Sequence, residues 1–350
     1  MTRRNAISFP ALLLPALLAG CSSSWHLRTA GAPFALQWPY APGPARLTYL
    51  HALTGFSASA TVGSALAAVA WGSEKAEANA FVLPVGVATW RDGRIAVADM
   101  GRAAVHLYFP REARYLRLTG PKQEPMRTPV GVAFDGEGRL FVSDSSGRVY
   151  AFGPDGAFLF TIRSAGSEPL RRPTGLAFSP QRKLLYVVDT LAHTIYALDA
   201  RGGLVFAAGG RGDGDGQFNF PTHVAVTPKG DLVVADSLNF RIQILDGDGK
   251  FLGAFGHHGD GSGDIAMPKG IAVDGNGVVY VADSLFDVVQ LFDRGGRFLL
   301  TLGRRGVDFG EFWMPSGVFI SELGELYVCD TYNHRIQVFR IAGKGADAAR

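Results

Sequence analysis

Six aspartates recur at near-constant distance from a proline, and their number and spacing are the first sign of possible chemistry in this chain. Pro84, Pro129, Pro173, Pro221, Pro268 and Pro315 are followed by Asp99, Asp144, Asp189, Asp236, Asp283 and Asp330, 15 residues later in five cases and 16 in the third. A ring of carboxylates is cation-binding chemistry. Six unpaired charges converging on one axis would repel, so each Asp is instead expected to accept hydrogen bonds from backbone amides in its own repeat.

Histidines are the next candidates. Two residues after the proline stand Gly86, Gly131, Gly175, Gly270 and Gly317, but His223 in the fourth repeat, the one bulky polar substitution in that column. His223 has the chemistry to ligate a metal or read a ligand, although a lone histidine is more often a satisfied lining residue. His257 and His258, with His193 and His334, fall in connecting loops, whereas a zinc site needs at least three donors at about 2.1 Å from one ion. The run Gly212-Asp213-Gly214-Asp215-Gly216 is similar to the opening of a calcium loop but lacks the distal Glu. No Gly-x-Ser-x-Gly elbow or Walker loop is present. Cys329 replaces the Ala or Ser of other repeats and reads as a small buried hydrophobe with no neighbouring His or Lys to activate it.

The prolines recur every 44 to 48 residues, the period of one supersecondary unit copied along a chain. Each unit carries four short strand signals separated by Gly-bearing turns, the pattern of a propeller blade. Pro suits the first residue of an innermost strand because no backbone donor is needed there, and Gly follows where inner strands converge. The sixth unit ends after its third strand. Tyr49-Leu50-His51-Ala52-Leu53 aligns with Phe251-Leu252-Gly253-Ala254-Phe255, so an N-terminal segment is expected to complete that blade. The predicted fold is all-β: a six-bladed β-propeller of four-stranded antiparallel blades closed by an N-terminal strand. Its bounds are 46–342, with the closing strand at 46–53, a linker with a short helix at 54–79 and a tail at 343–350.

Composition agrees, with 45 Gly, 19% charged residues and a formal net charge of +3. No basic cluster suggests nucleic acid. Residues 1–20 read as a signal peptide: Arg3 and Arg4, an apolar run, then Leu18-Ala19-Gly20-Cys21, which resembles the bacterial lipobox, with Cys21 as the lipidated residue. The start at Thr2-Arg3-Arg4 does not carry the full twin-arginine pattern. Ser22 after the Cys favours an outer membrane facing the periplasm in a Gram-negative source. Residues 21–45, with Pro33, Pro39, Pro42 and Pro44, read as a semi-extended tether.

The units Val234-Ala235-Asp236-Ser237-Leu238-Asn239-Phe240-Arg241-Ile242-Gln243 and Tyr327-Val328-Cys329-Asp330-Thr331-Tyr332-Asn333-His334-Arg335-Ile336-Gln337 resemble the NHL-repeat family of six-bladed propellers, and the chain resembles its bacterial lipoprotein members. That family includes protein- and RNA-binding modules and a lyase whose zinc-ligand histidines directly follow the blade Pro. Here those positions are Val85, Val130, Thr174, Thr222, Lys269 and Ser316. The resemblance therefore implies a binding or assembly module without cofactor, in which His223, Thr174, Thr222, Lys269, Phe240, Phe286, Tyr332 and His334 contact a ligand or an envelope protein. A monomeric propeller is expected, touching membrane only through its lipid anchor. The alternative is a metal-assisted lyase or hydrolase using zinc or calcium at the channel.

Overall fold

Each recurring proline opens the innermost strand of a blade, and each recurring aspartate closes the second. The computed structural model describes residues 24–40, 43–59 and 79–343. Inner strands Pro84–Thr89, Pro129–Phe134, Pro173–Ser179, Pro221–Val226 and Pro268–Val273 each begin a four-stranded antiparallel sheet, and Pro315–Ile320 begins a six-stranded one. Every inner strand packs on that of the next blade, and the sixth returns to the first, so the strands enclose a central channel. A side chain at Gly86 or Gly270 would collide with the carbonyl oxygen of Val130 or Ser316 in the following blade. The glycine column thus permits backbone contact around the axis.

The core lies between blades rather than inside one. Leu107 of blade one packs with Leu140 and Tyr150 of blade two, and Ala235 and Ile242 of blade four with Ile271 and Val281 of blade five. Tyr150, Tyr186 and Tyr280 are fully buried with hydroxyls bonded to Glu124 O, Gly247 O and Asp274 Oδ2. Burial of each such ring contributes on the order of 2 kcal/mol.

Ring closure occurs as expected. Strand Leu47–Ala58 pairs with Arg335–Ile341 in blade six, with Leu53 opposite Ile336 and Leu47 opposite Ile341. It runs beyond the expected bound at Leu53 and crosses to blade one, where Phe56 stacks on Tyr115 at 4.9 Å.

The region read as a tether differs from expectation. Trp25–Ala30 forms a further strand on Leu47–Ala58, and Gln37–Trp38 pairs with Leu47 and Thr48. Trp38 is buried against Phe339 at 5.5 Å, and Trp25 stacks on Tyr115 at 4.6 Å. Apolar residues at Trp25, Leu27, Leu36 and Trp38 supply the burial that an extended tether would lack, and Pro33 sits in the connection between the two strands. The signal peptide, Cys21, the helix expected between residues 64 and 71, and the final residues of the tail lie outside the described residues.

Candidate functional site at the two ends of the channel

The aspartates act as clamps at the end of the channel where the inner strands begin. Asp99 accepts from the amides of Val82 and Leu83, Asp144 from Arg127 and Thr128, Asp189 from Arg171 and Arg172, and Asp283 from Ala266 and Met267. Each carboxylate ties down the segment that enters its own blade, as the sequence implies. In blade six Asp330 accepts from the Trp313 amide, Asn333, Arg335 and Gln337, and in blade four Asp236 has the matching set of Asn219, Asn239, Arg241 and Gln243. All six are fully buried, so none presents charge to the channel.

A second layer of ties joins successive blades. Thr174 Oγ1 donates to Thr222 O at 3.0 Å, Thr222 Oγ1 to Pro268 O at 3.0 Å and Ser316 Oγ to Val85 O at 3.3 Å. Residues four past the Asp adopt the left-handed conformation in five blades, at Ala103, His193, Phe240, Asp287 and His334. Three of these reach the next blade: His193 Nδ1 accepts from the Phe220 amide, Asp287 from the Met314 amide, and His334 Nδ1 meets Val82 O. Phe240 instead stacks on His258 at 4.4 Å.

Of the residues singled out from sequence, Thr174, Thr222, Lys269, Phe240, Phe286, Tyr332 and His334 all belong to this end. Thr174, Thr222 and His334 are committed to inter-blade ties. Phe286 donates its amide to the Asp283 clamp. Tyr332 is exposed and packs beside Trp313 at 5.6 Å. Lys269 is half-buried with no hydrogen-bond or ion-pair partner among the described residues. Burial, and secondarily the charge of Arg172, hold its pKa below the usual lysine value.

His223 sits one residue deeper. It lies in the interior of the molecule yet keeps partial exposure because it faces the channel cavity. One ring contact runs to the backbone of Ile271 in the next blade, and Nδ1 is buried without a partner. Burial lowers its pKa to about 4, so the ring is neutral at physiological pH.

Beyond His223 the channel widens into a cavity of about 380 Å³ that opens among the hairpins joining first and second strands. All six inner strands line it. None of the six residues directly following the prolines does, so the cavity ends at the level of His223. Trp90, Phe134, Phe178 and Phe319 supply aromatic wall, with Val226 and Val273 between them. Its charged groups are already engaged: Arg91 pairs with Glu322 at 3.0 Å across the rim, and Asp135 accepts from the Glu137 and Arg139 amides and from Arg139 Nε. Sequence reasoning missed this wall. Part of its signal is the column five residues after the proline, which reads Thr89, Phe134, Phe178, Val226, Val273 and Ile320, with Trp90 and Phe319 one residue to either side of it.

Among the described residues no three His, Cys, Asp or Glu side chains converge on a point that could hold an ion. His257 pairs with Asp264 at 2.7 Å, and the carbonyls of Gly212 and Gly214 accept from Asn239 and Arg241. The calcium-like run is an interblade connection. Cys329 is buried, and burial pushes its thiol pKa up, away from thiolate reactivity.

The fold and channel define a six-bladed β-propeller, and two of its repeats match a known family. The family model for the NHL repeat matches residues 218–245 and 312–339, the stretches that hold the complete Asp-Asn-Arg-Gln clamps, so the chain is a six-bladed propeller that carries NHL repeats. No curated protein matches it in sequence. Among solved structures it is similar to a gluconolactonase from Xanthomonas campestris, with a TM-score of 0.58 and 17% identity over 75% of this chain and 86% of that one. A virginiamycin B lyase from Staphylococcus aureus gives 0.53 and 11% over 76% and 87%. A chain of a nidogen–laminin complex gives 0.51 and 17% over 62% and 79%. At these identities the likeness is one of fold.

Proposed function

We propose that this chain is a lipid-anchored NHL propeller outside the cytoplasm that binds a compact, largely apolar ligand in its channel. The observation that carries the reading is the aromatic-walled cavity of about 380 Å³ lined at its inner end by neutral His223. Apolar walls with few polar groups are the usual make-up of a small-molecule pocket. The chemistry of the wall favours binding over metal-assisted lysis or hydrolysis. His223 is the one imidazole that faces the cavity, while Asp135 and Glu322 are held by arginines, a donor set that does not fit a catalytic ion.

The anchor follows from Leu18-Ala19-Gly20-Cys21. Only Ser22, Ser23 and Ser24 separate Cys21 from the strand that starts at Trp25. At full stretch that is about 14 Å. A lipid on Cys21 would therefore hold the propeller against the bilayer rather than far above it. The Trp25 amide bonds to Ala113 O, so the outer hairpin of blade one would lie nearest the membrane.

Two measurements test this. Fatty-acid labelling in cells should mark the wild type and vanish in Cys21→Ser, which should leave the membrane fraction; labelling that persists would refute the anchor. Separately, the neutral dye N-phenylnaphthylamine should bind saturably at one site per chain.

A further inference from the structure

Most polar side chains that line the hairpin-end cavity are engaged within the protein. Asp135 holds Arg139 and two amides, Glu322 pairs with Arg91, the Tyr327 hydroxyl donates to Glu325 at 2.9 Å, and Ser321 Oγ accepts from the Glu325 amide at 3.2 Å. His223 differs. It lines the inner end of the same cavity, and its Nδ1 is buried without a partner.

A neutral imidazole carries one N–H and one bare nitrogen that accepts a hydrogen bond. The ring's one backbone contact, to Ile271, favours the protonated form, the sign of an N–H given to the Ile271 carbonyl. Nδ1 takes part in no bond, so that N–H belongs to Nε2 and Nδ1 is left as the acceptor. The ring edge away from Nδ1 lies beside blade three, where a Cβ added at Gly175 would stand 3.1 Å from Cδ2. Glycine there gives the ring clearance, and rotation about its terminal bond is soft, so a small turn presents Nδ1 to the cavity. An acceptor left unpaired in the interior bears the full cost of its desolvation, which a donor arriving in the cavity would relieve.

We infer that the ligand of this cavity is a neutral aromatic of the phenol class, whose hydroxyl donates to His223 Nδ1 while its ring packs on the wall of Trp90, Phe134, Phe178 and Phe319. The inference rests on the proposed binding in the cavity, and it names the ligand class and the residue that selects it. An aromatic wall takes the body of such a molecule, and a site with a buried polar group discriminates against the analogue that cannot pair with it.

The test uses the full-length chain in neutral detergent, by equilibrium dialysis against buffer of the same detergent content at neutral pH, with affinities referred to the aqueous ligand. The probes are 2-naphthol and two analogues without a donor, naphthalene and 2-methoxynaphthalene. On the wild type 2-naphthol should bind about tenfold more tightly than either analogue. That preference should shrink to within about twofold in His223→Phe and persist in His223→Asn, whose amide oxygen can accept in place of Nδ1. His223→Leu is a second apolar replacement should His223→Phe fold poorly, with circular dichroism reporting the fold of each variant. Three results would overturn the inference while leaving binding in the cavity intact: saturable binding of all three probes with no preference, a preference for 2-methoxynaphthalene, or a naphthol preference that survives in both apolar variants. If neither the probes nor N-phenylnaphthylamine bind saturably, the proposed cavity binding itself fails and the inference falls with it.

Discussion

The two ends of the channel are built from the same six strands but differ in what their side chains are used for. At the proline end the polar groups that recur from blade to blade have partners in the protein: aspartates clamp incoming loops, hydroxyls tie blade to blade, and left-handed turns recur in five blades whatever residue occupies them. At the hairpin end the wall is aromatic and open, and the His223 ring beneath it keeps one nitrogen, Nδ1, without a partner. The contrast teaches where function can reside in a repeat protein. Groups used in every blade maintain the ring, and those that break the repeat are free to do something else.

The largest expected effect comes from breaking the structural end. Asp330→Ala would leave Arg335 buried beside Asn333 and Gln337 with no carboxylate to accept from them. Removing one partner from such a network costs about 3–5 kcal/mol. Phe178→Ala in the half-buried cavity wall should cost about 1–2 kcal/mol while removing dye binding. Chemical denaturation of both variants measures the pair, and a reversed order would break the contrast.

An effect of intermediate size depends on pH. His223 stays neutral in the folded chain down to about pH 4, while its ordinary value is 6.5. Between those values the unfolded chain binds more protons, so stability falls as pH drops through this window, by at most about 3 kcal/mol. The partial exposure of His223 to the cavity reduces that figure. His223→Gln should flatten the stability profile between those two pH values, and an unchanged profile would show that the ring titrates as if solvated.

The two ends were not equally legible in the sequence. The clamps were readable because proline and aspartate recur in register, and the closing strand because Tyr49 to Leu53 copies the outer strands of blades four and five. His223 stood out as a break in a column of glycines. The ties of Thr174 and His334 were hidden, since their partners lie 48 and 252 residues away and meet only when the ring closes. The aromatic wall was hidden for a different reason: Trp90, Phe134, Phe178 and Phe319 stand at or next to strand ends, and an apolar strand end reads as core. The prolines between residues 33 and 44 masked the alternation that makes Trp25 and Trp38 part of the sixth blade's sheet.

The central claim, that the hairpin-end cavity is a binding site, is tested most directly by filling it. Val273 lines the cavity and is half-buried, so Val273→Trp would place an indole in the space a ligand would occupy. N-phenylnaphthylamine should bind the wild type at one saturable site and lose at least about tenfold in affinity in Val273→Trp, with the circular dichroism and melting temperature of the fold retained. Equal dye affinity in the two proteins, or no saturable binding to the wild type, would contradict the account.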